Sequence, residues 1–116
     1  MSQNDAASVL FCQESLDDLE ECIGKDTLRT LLATLPGECA ELLKDLEKAL
    51  ANDDLPVARK VAHSIKGMAA NYAATAIADI AREIEMNDLS IEQSKSRTID
   101  LREVVTQTED WIVKFA

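Results

Sequence analysis

Glycine and proline are scarce in this chain of 116 residues, at three and two, and aromatic side chains make up only 3%. Sandwiches and barrels need turn residues and aromatic or β-branched strands, so these shortages argue against an all-β domain. A single histidine with no Glu-x-x-His spacing leaves no metal-ligand set, and no cofactor of the chain's own is expected. Cys12, Cys22 and Cys39 are odd in number and lack metal-ligand spacing. With no cluster of partners they read as small buried hydrophobes in a reducing cytoplasm. No apolar run approaches the ~18–20 residues of a membrane span. The first seven residues lack the basic start and apolar stretch of a signal peptide, so a cytoplasmic location is expected. Neither a P-loop pattern nor a kinase glycine loop occurs, and no length remains for a separate ATP-binding domain. The chain is therefore not expected to be a kinase.

Basic residues are also in deficit. Twelve Lys and Arg stand against 22 Asp and Glu, a formal charge of −10. Such a surface repels phosphate backbones and anionic lipid, which makes nucleic acid and membranes poor partners. What the chain does contain is 47% apolar residues spread along its length and an Ala/Leu/Glu/Lys bias. These suit one compact helical domain.

Apolar spacing places the helices. Gln13 to Cys22 forms a short one with Leu16, Leu19 and Ile23 inward and Gly24 as its stop. From Lys25 to about Asn52, Leu28, Leu32, Leu35, Cys39, Leu42, Leu46 and Ala49 recur at three- and four-residue intervals. Pro36 should kink that helix or split it near Thr34–Gly37. Asp54 is a natural N-cap, with Pro56 in the first turn of the next helix. This helix carries Leu55, Ala58, Ala62, Ile65, Ala69 and Tyr72 on one stripe, and Ile77, Ile80, Ala81 and Ile84 mark a fourth. Ser90 and Gln93 form a capping box that opens the last helix, with Ile91, Thr98, Leu101, Val105, Ile112 and Phe115 inward. Short connections between long amphipathic helices favour antiparallel neighbours. The expected fold is all-α, an antiparallel up-down four-helix bundle with a short additional N-terminal helix. Residues 1–12 are assigned to an N-terminal extension and 13–116 to the bundle. No exposed apolar face suited to pairing two copies is evident, so a monomer is expected.

At about 100° per residue, His63 falls well off the apolar stripe of its helix and should face solvent. Arg59 at i−4, Lys66 at i+3, Gly67 at i+4 and Ala70 one turn further share its face. Residues 55–82 contain Arg59, Lys60, Lys66 and Arg82 against the single acid Asp79. The only histidine thus lies in the one basic window of an acidic chain. A mid-helix glycine costs roughly 1 kcal/mol relative to alanine, and its usual reason is the close approach of another group. Each feature alone has an ordinary explanation: a surface histidine, a packing glycine, a solvated basic face. Together they form a nucleophile with an adjacent ammonium and a cleared patch. A neutral imidazole is a good nucleophile near neutral pH, and Lys66 and Arg59 would favour an anion placed on it. Phosphoryl transfer needs mainly in-line positioning and charge compensation.

His63-Ser64-Ile65-Lys66-Gly67 resembles the H-x-[apolar]-K-G signature of histidine-containing phosphotransfer (HPt) domains. Asp54-Leu55 resembles the acidic cap before the histidine helix, and Ala62 the small residue before the histidine. Tyr72 matches the apolar position before the turn, and Ile77, Ala81, Ile84 and Glu85 fit the following helix. The resemblance spans about residues 13–115. It implies a phosphorelay intermediate in two-component signal transduction, a stoichiometric carrier and not an enzyme. The phosphoryl group would arrive on His63 Nε2 from a response-regulator receiver aspartate and pass to another, with a hybrid sensor kinase upstream. By the same resemblance Lys66 neutralises phosphoryl oxygens and Gly67 admits the receiver's loops. Arg59, Ala70 and Glu85 join the docking face, and Mg²⁺ belongs to the receiver.

Three positions depart from that pattern. Glu85 stands where an amide is common, so it could orient the ring or repel phosphate. Met68 replaces a small hydroxyl residue. Ala73 replaces a turn glycine; should that turn need φ > 0, Asn71 could take the left-handed position instead. Two other readings stay open at this point: a degenerate adaptor that docks a receiver without carrying phosphate, and a generic helical partner-binding module. A buried His63 would favour the latter.

Overall fold

The structure, a computed structural model, describes residues 9–115. Beyond the helical residues Val9 and Leu10, the described helices are Gln13–Ile23 (α1), Lys25–Ala51 (α2), Leu55–Asn71 (α3), Thr75–Met86 (α4) and Ile91–Phe115 (α5). No strand occurs among the described residues.

Local chemistry sets most of the boundaries. Gly24, at φ 84°, ends α1, and its N–H donates to Glu20 O at 2.8 Å. α2 begins at the next residue. At its far end Asp53 takes φ 55° while the Asp53 and Asp54 amides donate to Leu50 O and Ala49 O. This pattern satisfies carbonyls that the last helical turn leaves open. Asp54 then turns from terminator to initiator, its Oδ1 accepting from Val57 N at 3.3 Å, with Pro56 in the first turn of α3. At the start of α5, Ser90 and Gln93 exchange hydrogen bonds of 3.0 and 3.1 Å, the reciprocal cap expected from the sequence.

Pro36 does not split its helix: α2 runs through it from Lys25 to Ala51. An internal proline costs about 3 kcal/mol through its lost N–H and its clash with the preceding turn. Leu32, Leu35 and Cys39 are buried on both sides of it. Each large apolar side chain so placed contributes roughly 1.5–3 kcal/mol, enough to hold both halves against one core.

α2 packs against α3 and α5, and α4 packs against the same two, so the four long helices enclose a common interior. Leu28, Leu32, Leu35, Leu43, Leu46, Ile65, Ile77, Ile84 and Leu101 fill it. α1 lies on α2. Leu10 and Phe11, from the segment read as an N-terminal extension, are buried in the same core. Phe11 meets Trp111 at 4.8 Å between ring centroids, and Trp111 stacks on Phe115 at 5.0 Å. The Cys12 amide donates to Ala73 O at 2.9 Å, which fastens this segment to the end of α3.

Several side chains differ from expectation. Ile23 is 36% exposed, because α1 is short and ends at the rim of the core. Leu43 is buried and Leu42 only half-buried, a shift of one position on a helix whose inward face includes both. Of the three cysteines only Cys39 is buried; Cys22 is exposed and Cys12 half-exposed. Burial and the charge of Glu38 push the Cys39 thiol up to about 11, so it stays protonated and behaves as a small apolar side chain.

Candidate functional site

Ala58, Ala62 and Ala69 on α3 and Ala81 on α4 are fully buried, and α3 and α4 pack against each other. That brings residues near the C-terminal end of α4 within reach of the outward face of α3.

His63 lies on this face with its side chain 69% exposed, as its position off the apolar stripe predicts. Exposure removes the ground for a core histidine, the feature that would have favoured a generic helical module. Nδ1 of the ring hydrogen-bonds to Glu85 Oε2. Against a carboxylate, which only accepts, Nδ1 must carry the proton. In the neutral ring Nε2 is then the nitrogen with a free lone pair, and it has no hydrogen-bond partner among the described residues.

Glu85 also holds Lys66. The Lys66 ammonium donates to Glu85 Oε1 at 2.6 Å and lies 3.4 Å from Oε2. The Glu85 side chain is 14% exposed and that of Lys66 29%, so the pair forms a recessed base beneath the ring. Hydrogen bonding from Lys66 first, and from His63 second, holds the Glu85 carboxyl below the usual carboxylate range despite partial burial. Of the alternatives raised by a glutamate at this position, the unmodified geometry shows the orienting contact. The Lys66–Glu85 pairing went unread in the sequence, although opposite charges 19 positions apart on successive helices were its available signal.

Arg59 points elsewhere. Its Nη2 donates to Asp88 Oδ1 at 2.8 Å, tying α3 to the connection between α4 and α5. Asp88 sits at φ 50° and was not singled out in the sequence. Gly67 lies on the surface, and a Cβ added there would meet nothing within 4 Å. Internal packing therefore does not demand this glycine. Ala70 is exposed one turn on, so the surface beside His63 carries little side-chain bulk.

The end of the site helix corrects one expectation. Ala73 itself takes the left-handed conformation, φ 59°, while Asn71 remains helical. The Ala73 amide donates to Ala70 O and the Ala74 amide to Ala69 O, at 3.1 and 3.0 Å. Those bonds, with the Cys12 contact to Ala73 O, fix the turn at the residue where the helix must stop. Tyr72, just before it, donates to Glu38 Oε2 at 3.0 Å and lies 2.9 Å from Thr34 Oγ1, anchoring α3 to α2. Burial raises the Tyr72 phenol above its ordinary range.

No three His, Cys, Asp or Glu side chains among the described residues gather into a metal site, and no helix among them is long and apolar enough to cross a membrane. Together the bundle and its outer face define a helical module organised around one exposed histidine, backed by a carboxylate and a lysine. Residues 30–111 match the family model of the Hpt domain, and the chain belongs to that family. Hpt domains are phosphocarrier modules, not kinases, with a phosphotransfer role in two-component signalling, and they interact with response-regulator receiver domains. The match covers α3 and α4 entirely and begins after α1. No curated protein and no solved structure matches the chain.

Proposed function

We propose that this chain is a phosphorelay intermediate that receives a phosphoryl group on His63 from one receiver-domain aspartate and passes it to another. The observation that carries this reading is the Glu85 hydrogen bond to Nδ1 of a ring that is otherwise solvent-exposed.

In the forward step the Nε2 lone pair forms a bond to phosphorus as the aspartyl P–O bond breaks. The aspartate carboxylate leaves with the bonding electrons. The proton stays on Nδ1, held there by its hydrogen bond to Glu85. In the second step an acceptor aspartate oxygen attacks phosphorus, the P–N bond breaks, and its electrons return to Nε2. No proton need enter or leave the site in either direction. Lys66 is the nearest ammonium able to meet the phosphoryl oxygens by turning from Glu85. Gly67 and Ala70 provide the low surface on which a receiver's loops rest, and Arg59 borders it. Mg²⁺ is supplied by the receiver.

The setting follows from the same reading. A hybrid sensor kinase stands upstream, and the chain works as a cytoplasmic monomer. The mutual packing of four long helices joined by short connections supports an antiparallel up-down bundle. Incubation with a phosphorylated receiver domain tests the function. The wild-type protein should gain acid-labile, alkali-stable label and His63→Gln should gain none; equal labelling of the two would refute it.

A further inference from the structure

Both cations that α3 itself places on the Glu85 side of His63 are already paired. Arg59 and Lys66, at i−4 and i+3, lie on the same side of the histidine around the helix. Arg59 is paired with Asp88, and Lys66 with both oxygens of Glu85. Lys60, at i−3, falls on the opposite side of the ring. The exposed nucleophile therefore stands over a paired ammonium and carboxylate, not over a free positive charge.

We propose that Glu85 is a specificity determinant: it makes His63 accept phosphoryl groups delivered by a docked protein and resist small diffusible acyl phosphates. This rests on the reading of His63 as the phosphorylated residue. Acetyl phosphate presents the same mixed anhydride as an aspartyl phosphate. In both cases Nε2 bonds to phosphorus, the P–O bond to the acyl oxygen breaks, and a carboxylate leaves. Bond chemistry cannot distinguish the two donors, so delivery must. A free dianion approaching Nε2 is repelled by Glu85 and finds Lys66 occupied. A docked domain contributes interface energy that can separate Lys66 from Glu85 as the phosphoryl group arrives. A two-carbon phosphate has no such surface.

Glu85→Gln separates charge from geometry, because the amide oxygen can still accept from Nδ1 while Lys66 is released. With acetyl phosphate as donor, Glu85→Gln should label His63 at least about tenfold faster than wild type, the gap narrowing as salt rises. Adding Lys66→Ala to that variant should remove the gain, which assigns it to the released ammonium and not to exposed Arg82. Titration with inorganic phosphate, followed by the His63 ring resonances, gives a second reading. Glu85→Gln and Glu85→Ala should both bind more tightly than wild type.

A parallel reaction with a phosphorylated receiver domain separates the possible failures. If wild type is labelled by the receiver but Glu85→Gln gains nothing with acetyl phosphate, the selectivity role is wrong and the carrier role stands. The selectivity role is equally wrong if the double variant reacts as fast as Glu85→Gln. If the receiver labels no variant that retains His63, the carrier reading fails and this inference falls with it.

Discussion

Lys66 Nζ and Glu85 Oε1 lie 2.6 Å apart across the contact between α3 and α4, so the ammonium assigned to the phosphoryl group begins as half of an ion pair. Its removal therefore has two effects. Lys66→Ala takes away a counter-charge for the phosphoryl oxygens and leaves Glu85 beside them without its ammonium partner. Transfer from a receiver should slow by at least about tenfold, with the helical content unchanged. The double variant Lys66→Ala/Glu85→Gln should be less impaired than Lys66→Ala alone, since residues sharing one network are not additive. Unfolding of Lys66→Ala would instead show that the lysine is structural.

The contact between His63 and Glu85 sets the tautomer. In uniformly ¹⁵N-labelled protein, the neutral form of the ring should carry its proton on Nδ1. Glu85→Ala should move proton population to Nε2, withdrawing the lone pair that attacks phosphorus, and lower the transfer rate accordingly. An unchanged proton distribution in this variant would mean that Glu85 does not orient the ring.

Acid should weaken the fold through the same carboxylate. Glu85 is held below its ordinary value in the folded chain, chiefly by Lys66. Such a group contributes stability that is fully present above its unfolded pKa of about 4.3 and is lost as pH falls through the depressed folded value. The stability difference between wild type and Glu85→Gln in urea should therefore shrink below about pH 4. A difference that persists undiminished into strong acid would place the contribution in packing and not in charge.

Ala73 carries a conformation that suits glycine. At φ 59° an alanine pays roughly 1 kcal/mol in steric strain. Ala73→Gly should raise the urea midpoint, with a gain of at most about 0.6 kcal/mol after the added freedom of the unfolded chain is counted. A lower midpoint would mean that the buried Ala73 methyl group matters more than the relieved strain.

Features decided within one turn of helix were legible in the sequence. Gly24, Asp54 and the Ser90–Gln93 pair announce helix ends because the groups they satisfy lie a few residues away. His63 was placed in solvent by periodicity alone, and its lysine by spacing. Features decided by tertiary packing were not. The core holds α2 together through Pro36, and the Cys12 contact with Ala73 O helps fix the turn at Ala73 where composition favoured Asn71. Arg59 was grouped with the histidine from the helix face, but Asp88, 29 positions later, draws it away. Glu85 was located only through the family resemblance; its hold on Lys66 required the approach of α3 and α4.

The sequence contains one histidine, so histidine-selective ¹⁵N labelling gives a single imidazole to observe. After reaction with a phosphorylated receiver domain, the Nε2 resonance should shift and show coupling to phosphorus while Nδ1 keeps its proton. Phosphorylation on Nδ1, or an imidazole left unmodified by a receiver that loses its phosphate to the protein, would contradict transfer through His63 Nε2.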